Sequence, residues 1–184
     1  MGMFQFGARG NTSGADGKGK GADKSRVNWV TLVLGLLIAV VLGLMMNRCG
    51  AADPKTFQTG DFAITLTEEF KEETLEDAYA YYYSEAVIAA VDSVLIAEEG
   101  DMTAQEYAVK MVKQAGGEED AIAQKDGLVY CAYTTDTEDG ELFYMVFFLK
   151  GETRYWVLNF VTMAANQELC QEDFLNYAKS AVVG

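Results

Sequence analysis

The chain has 184 residues, enough for one ordinary domain with accessory segments, and it carries a formal net charge of −14 at pH 7. This acidic excess argues against nucleic-acid binding, which rests on Lys and Arg side chains that neutralise phosphates. The chain contains no histidine, so it lacks the commonest general base and metal ligand and the usual Ser-His and Cys-His pairs. We therefore expect no enzymatic activity and no cofactor.

The N-terminal segment differs from the rest of the chain in charge. Residues 1–28 hold five basic and two acidic residues, a net charge of +3, whereas residues 53–184 hold 8 basic and 26 acidic residues, a net charge of −18. Residues 7–25 are rich in glycine and have no hydrophobic periodicity, so they cannot bury enough apolar surface to offset the entropy of ordering. The pattern predicts a disordered basic tail over residues 1–28.

An uncharged apolar run extends from Trp29 to Met46, with Leu36 and Val40 in its middle. As a helix its 18 residues would extend about 27 Å, close to the hydrocarbon thickness of about 30 Å. A cleaved signal peptide is the alternative, but its apolar region is typically shorter, and the only weak cleavage site here lies at residues 50–52. The run predicts an uncleaved transmembrane helix.

Basic residues set the expected orientation of this helix. Four precede it closely, whereas two follow it: Lys18, Lys20, Lys24 and Arg26 against Arg48 and Lys55. By the positive-inside rule the N-terminal tail stays in the cytoplasm and the acidic domain faces the extracytoplasmic side. We expect a single-pass protein of a bacterial cell membrane that contacts the lipid bilayer through one helix.

After a linker over residues 47–56, the domain is predicted to begin with short strands. Residues 57–59 and 62–66 flank a turn, and β-rich runs cover residues 79–84 and 86–97. The next segment changes to helical spacing.

The apolar residues from Ala104 to Ala115 lie on one face of a helix. Thr103 and Glu106 have the spacing of a capping box, and Gly116 is a typical stop signal. This pattern predicts a helix between Thr103 and Gly116.

Three further strands and a closing helix complete the domain. The strands are predicted at residues 128–135, 142–149 and 153–163, and the helix runs from Asn166, its expected N-cap, to Val183. The middle strand is apolar at both parities, so we expect it to be buried on both faces. The predicted fold class is α+β, an antiparallel sheet with helices packed on both faces, that is, an α/β/α sandwich preceded by one transmembrane helix.

The order of these elements resembles the PsbP-like family, which includes PsbP, the nuclear-import factor Mog, LpqN-type lipoproteins and the bacterial DcrB family. The resemblance covers residues 57–183 and is carried by residues 57–70, the helix after Thr103, the 142–160 hairpin with Tyr155-Trp156, and the closing helix. The opening departs from the Pro-x-Gly-Phe of many bacterial members, because residues 67–70 read Thr-Glu-Glu-Phe. The resemblance implies a non-enzymatic accessory or binding subunit and supplies no active-site residues.

One acidic turn is a candidate cation site. It contains four carboxylates, Asp136, Glu138, Asp139 and Glu141. Convergent oxygen ligands suit Ca²⁺, but the glycine of this turn comes one position too early for an EF-hand loop. We interpret the turn as a solvated hairpin tip and keep its carboxylates as candidates for a metal.

Cysteines and tyrosines supply the remaining candidates. Cys131 and Cys170 would either form a disulfide across a sheet–helix interface or remain buried free thiols, and we favour the free thiols. Tyr79, Tyr81 and Tyr83 recur at alternate positions and form a candidate interaction face, with packing in the core as the alternative.

Two functional hypotheses remain open. The first is a non-enzymatic, membrane-tethered extracytoplasmic interaction module, accessory to an envelope protein complex. The second is a domain that binds a small ligand or cation through an apolar cleft and acidic loops. We favour the first, with a protein partner in the envelope.

Overall fold

The computed structural model describes residues 52–138 and 140–184. The predicted cytoplasmic tail and the predicted transmembrane helix, with Trp29, Leu36, Val40 and Met46, lie outside these residues. Among the described residues, no helix is both long enough and apolar enough to cross a bilayer.

The strands of the described residues form two antiparallel sheets. Their bounds are β1 (Pro54–Thr59), β2 (Phe62–Thr67), β3 (Lys71–Glu73), β4 (Ala80–Tyr83), β5 (Val87–Leu95), β6 (Ile122–Lys125), β7 (Leu128–Thr137), β8 (Gly140–Lys150), β9 (Arg154–Met163) and β10 (Val182–Val183). The smaller sheet has the order β1-β2-β10 and the larger one the order β3-β4-β5-β9-β8-β7-β6. The long hairpin β8–β9 therefore lies at the centre of the larger sheet.

The α-helices of the described residues are α1 (Ile96–Glu99), α2 (Ala104–Gln114) and α3 (Gln167–Ser180), and two short 3-10 helices cover Glu119–Ala121 and Ala164–Asn166. The predicted capping box of α2 is present: Thr103 Oγ1 accepts from the Glu106 backbone N–H at 3.2 Å, and the Glu106 carboxylate accepts from the Thr103 backbone N–H at 2.7 Å. Asn166 occupies the N-cap position of α3, but its side chain makes no capping hydrogen bond. The predicted start of α2 is thus confirmed in detail, and that of α3 only in position.

Helix α3 and the smaller sheet cover one face of the larger sheet, which we call the α3 face. This face presents Trp156, Leu158 and Phe160 of β9, and they share one buried cluster with Phe174 of α3 and Phe62 of β2. The rings of Phe160 and Phe174 stack at 5.0 Å, and those of Phe62 and Trp156 lie 5.4 Å apart. Most of the core lies here.

Helix α2 packs on the opposite face, which we call the α2 face. Tyr107 of α2 stacks on Tyr155 of β9 with ring centroids 4.3 Å apart, and Met111 belongs to the same cluster. Residues 142–148 of β8 are buried at both parities, as predicted. The predicted combination of antiparallel strands with helices is confirmed, whereas the separate small sheet was not predicted.

Candidate functional site

The α2 face is divided into two halves along its strands. Near the start of β9, Tyr155 and Val157 pack with helix α2, whereas Val161 and Met163 near its end belong to a different cluster. We call this second group the tyrosine cluster: Tyr81, Ile88, Leu142, Tyr144 and Val161, with Leu75, Ala78, Tyr83, Ala90, Tyr133 and Met163 packed against them. These members all come from strands and from the loop before β4, and none comes from a described helix.

Two pairs of aromatic rings define the tyrosine cluster. Tyr133 and Tyr144 stack at 5.0 Å across β7 and β8, and the rings of Tyr81 and Tyr83 lie 6.1 Å apart on β4. Tyr81 and Tyr144 are buried, whereas Tyr83 and Tyr133 are partly exposed. Burial raises the pKa of Tyr144 to about 12. Its hydroxyl therefore stays neutral at physiological pH and is able to donate a hydrogen bond.

The structure separates Tyr79 from the other two residues of the predicted interaction face. Tyr79 precedes β4, and its ring packs edge-on against Trp156 at 4.8 Å, on the α3 face. Its hydroxyl accepts a hydrogen bond from the Asp61 backbone N–H at 3.2 Å. The strict alternation of a strand begins only at Ala80, so the spacing 79, 81, 83 does not place three side chains on one face.

Two polar side chains lie between the tyrosine cluster and the half covered by α2. Asn159 is opposite Ala90, and Asp92 is opposite Val157. The two polar residues are therefore diagonal neighbours on the same face, a spacing of about 7–8 Å between Cα atoms. The pKa of Asp92 is raised by burial, although its Oδ1 accepts from the Ser93 backbone N–H at 2.7 Å. Asn159 Oδ1 is buried and accepts no hydrogen bond within the described residues.

The acidic turn is tighter than the sequence suggested. β7 and β8 continue until Thr137 pairs with Gly140, so Asp136 and Glu141 are cross-strand partners within the hairpin rather than at its tip. Both are exposed, and like charges placed opposite each other repel. Glu138 lies in the turn, and Asp139 lies outside the described residues. The described residues include no group of three or more potential ligands that could hold a metal ion.

The expectation of two buried free thiols is correct for Cys131 and wrong for Cys170. Cys131 is free, and burial raises its pKa to about 11, so little reactive thiolate forms at neutral pH. Cys170 is disulfide-bonded. Because Cys131 belongs to the cluster on the α2 face and Cys170 to that on the α3 face, the sheet separates them and excludes the alternative of a bond between them.

Sequence reasoning missed Tyr144, which lies between Tyr133 and the rest of the tyrosine cluster. Tyr133 is brought to Tyr144 by the register of β7 and β8, and Tyr144 shares its face with Val161 of β9. Pairing residues 128–149 as a hairpin in the correct register would have revealed the contact between Tyr133 and Tyr144. The second contact depends on the strand order of the whole sheet.

No protein-family model and no curated protein matches the sequence. Among solved structures, the solution structure of cyanobacterial PsbP (CyanoP) from Synechocystis sp. PCC 6803 matches 78% of this chain and 99% of its own chain, with a TM-score of 0.54 and 13% identity. The domain has a PsbP-like fold. A crystal structure from Bacteroides thetaiotaomicron matches 72% of this chain and 48% of its own, with a TM-score of 0.50 and 8% identity. The chain thus spans about half of that second protein, and at these identities the likeness establishes the fold alone.

Proposed function

We propose that this chain is a non-enzymatic, membrane-tethered module whose PsbP-like domain docks on a protein complex of a bacterial envelope. The apolar run at residues 29–46 supplies the tether, and the basic flank before it directs the domain to the extracytoplasmic side. Within the fold class, the proposal assigns the chain to the membrane-anchored bacterial branch that includes DcrB-like and LpqN-like proteins.

The observation that carries the docking proposal is the tyrosine cluster. It groups four tyrosines on half of a sheet face, and Tyr83 and Tyr133 are partly exposed at its margin. Tyrosine combines an apolar ring with a polar hydroxyl, which is why it is enriched in protein interfaces. At its margin the cluster offers a partner the partly exposed rings of Tyr83 and Tyr133.

The charge of the domain supports a basic partner. Residues 53–184 hold 8 basic residues, and five of these are in ion pairs with carboxylates. The net charge of −18 already counts these cations, and their pairing leaves few free basic groups to offset the excess of carboxylates. Such a surface favours a partner with basic residues and repels anionic lipid headgroups.

The proposal is tested by site-specific photocrosslinking in native membranes. A photoreactive phenylalanine analogue replaces Tyr83 in the full-length protein, and in a matched variant it replaces Tyr130, which is also partly buried but packs on the α3 face. We expect a discrete crosslinked protein band from position 83 that is absent from position 130 and weakened by high salt. Equal bands at both positions, or none at position 83, would overturn docking through the tyrosine cluster.

Binding of a small cationic ligand is the second candidate, because of the polar pair between the two halves of the α2 face. Asp92 offers a half-buried carboxylate, and Asn159 Oδ1 is a buried acceptor without a donor in the described residues. A ligand that carries an ammonium group would satisfy both. A rise in melting temperature with amines or Ca²⁺ that disappears in Asp92→Asn would favour this candidate over docking.

A further inference from the structure

The turn between β6 and β7 is an Asp-Gly step. Lys125 pairs with Leu128, so Asp126 and Gly127 form a turn of two residues. Their φ angles are +52° and +82°, both positive as a type I′ turn requires, and Asp-Gly is one of the sequences that favour this turn. Among the described residues, Asp126 is the one residue other than glycine with a positive φ.

An Asp-Gly step is open to backbone rearrangement, because glycine has no side chain to keep its nitrogen away from the aspartate carboxyl group. The Asp126 side chain is 55% exposed, and Gly127 is exposed as well. A Cβ atom at Gly127 would meet nothing within 4 Å. No group of the described residues accepts a hydrogen bond from the Gly127 backbone N–H. Packing therefore encloses neither the attacking nitrogen nor the carboxyl group.

The rearrangement leaves the composition of the chain unchanged. The Gly127 nitrogen attacks Asp126 Cγ, a C–N bond closes a five-membered succinimide ring, and the proton of the nitrogen leaves with the carboxyl O–H as water. Water then cleaves the ring at the Asp126 main-chain carbonyl, and the chain continues through Cγ as isoaspartate. Cleavage at Cγ instead restores the aspartate. The reaction needs no oxidant and no further reactant besides water.

Lys179 of α3 opposes the first step of this reaction. Its Nζ lies 2.6 Å from Asp126 Oδ2, and this hydrogen bond and the charge of Lys179 lower the pKa of the Asp126 carboxyl group. The ring closes from the neutral carboxyl group, since only that form releases water. The ion pair therefore keeps the carboxyl group in its unreactive, ionised form and holds its oxygen against the helix.

We propose that the bond between Asp126 and Gly127 is a site of spontaneous isoaspartate formation, and that the ion pair with Lys179 restrains this reaction in the folded domain. The inference depends neither on the proposed tether nor on the proposed docking partner.

Isoaspartate at this turn separates β6 from the larger sheet. The rearranged backbone is longer by one atom within a turn of two residues, so Lys125 and Leu128 lose their register. β6 is an edge strand that pairs with β7 alone, and Leu128 and Val129 are buried in the clusters on opposite faces of the sheet. The change disturbs the core on both faces and frees the edge of β7 for pairing with other chains.

Peptide mapping of the purified full-length protein, sampled over several weeks at pH 7, tests the site. Trypsin releases residues 126–150, or residues 114–150 where isoaspartate blocks cleavage after Lys125. Electron-transfer fragmentation then counts isoaspartate at residue 126 separately from that at the second Asp-Gly step of these peptides, residues 139–140. Residue 139 serves as the internal reference for general unfolding.

We expect Lys179→Gln to accumulate isoaspartate at residue 126 about two to five times faster than the wild type, the factor to which an exposed ion pair corresponds. Lys113→Gln is the matched control, because it removes the same charge and breaks an exposed ion pair with Glu119. Its rate at residue 126 should equal that of the wild type. In guanidinium chloride the wild type should react fastest, since unfolding removes the turn and the ion pair together.

Three results would overturn the proposal. Equal rates at residue 126 in folded wild type and folded Lys179→Gln would refute the restraint. A rise at residue 139 as large as that at residue 126 in Lys179→Gln would attribute the effect to general unfolding rather than to the lost ion pair. Isoaspartate that forms at residue 126 in guanidinium chloride but in neither folded protein would refute the site itself.

Discussion

Asp92 is a residue whose charge opposes folding. Burial raises its pKa in the folded protein above the ordinary value of about 3.9 for an aspartate. A raised pKa means that the folded protein binds the proton more tightly than the unfolded chain does. The native state therefore loses stability as the pH rises from the unfolded-state pKa to the folded-state pKa. The carboxylate therefore costs stability at neutral pH and none in acid.

We predict that Asp92→Asn raises the melting temperature at pH 7, by about 2–4 °C for each kcal/mol added to the free energy of unfolding. The amide oxygen keeps the hydrogen bond from the Ser93 backbone N–H without carrying a charge. The gain should shrink as the pH falls and vanish below a pH of about 3.9, where the aspartate is protonated in both states. Calorimetry from pH 3 to pH 8 measures it.

Asp77→Asn serves as the control for this pH series, because Asp77 is exposed. Its melting temperature should follow that of the wild type throughout. A loss of stability in Asp92→Asn at pH 7 would instead mean that a bound cation holds the carboxylate ionised, as the ligand-binding candidate requires.

Substitution of Thr103 tests how much one helix cap contributes to the stability of the domain. We predict that Thr103→Ala lowers the free energy of unfolding by about 1 kcal/mol, since the Glu106 backbone N–H loses its acceptor at the start of α2. Urea denaturation measures the change. Thr153→Ala, at an exposed position in the turn between β8 and β9, is the matched control and should stay within about 0.5 kcal/mol of the wild type. Equal losses in both variants would refute a specific role for the cap.

At the scale of elements, one hydroxyl fastens the segment before α2 to the sheet. Tyr155 Oη accepts from the Met102 backbone N–H at 2.6 Å and lies 2.9 Å from each of the Gly100 and Met102 carbonyl oxygens. The segment between α1 and α2 therefore depends on a side chain of the central strand β9. The Met102 backbone N–H and the Gly100 and Met102 carbonyls meet this one hydroxyl instead of a neighbouring strand.

We predict that Tyr155→Phe lowers the free energy of unfolding by about 1–3 kcal/mol, because the Met102 backbone N–H is left without its acceptor. Amide hydrogen exchange should accelerate over residues 100–107 more than over β8. Tyr107→Phe is the matched control, since its ring stacks on Tyr155 but its hydroxyl does not hold this segment. A change confined to global stability, with no local acceleration, would contradict the proposed role.

The elements that the sequence predicted are those with local signals. The capping box at Thr103 marks the start of a helix, and the apolar run of β8 marks a strand buried on both faces. Both elements are present. The sequence predicts a closing helix up to Val183, but the helix ends at Ser180 because residues 182–183 pair with Ala63 and Phe62 of β2. A two-residue strand has no periodicity, and its partner lies more than 100 positions away, so no local pattern could reveal it.

The candidate site was predictable only in part for the same reason. The alternation of Tyr81 and Tyr83 follows from the geometry of a strand, and both residues lie in the tyrosine cluster. Tyr79 has the same spacing, but it lies in the loop before the strand and turns toward Trp156. Tyr133 and Tyr144 join the cluster through the strand order of the sheet, which is a property of the whole domain.

At the scale of the whole molecule, charge and tether act together in the proposed arrangement. An acidic domain held close to anionic lipid headgroups is repelled by them. The proposed tether would keep the domain near the bilayer, where its tyrosine cluster could meet a basic membrane partner. The orientation of the predicted membrane helix decides whether this arrangement exists, because it determines the compartment of the domain.

We predict that replacing Lys18, Lys20, Lys24 and Arg26 by glutamine makes part of the protein adopt the opposite orientation, since the basic flank sets the direction of insertion. Protease added outside intact cells stripped of their outer layers should digest the domain of the wild-type protein and spare a fraction of it in the variant. The spared fraction should have its cysteines reduced, because the cytoplasm keeps thiols reduced. A matched variant, with Lys71, Lys113, Lys125 and Lys179 of the domain replaced by glutamine, has the same net charge and should be digested like the wild type. Complete protection of the wild-type domain would place it in the cytoplasm and refute the proposed tethered envelope module.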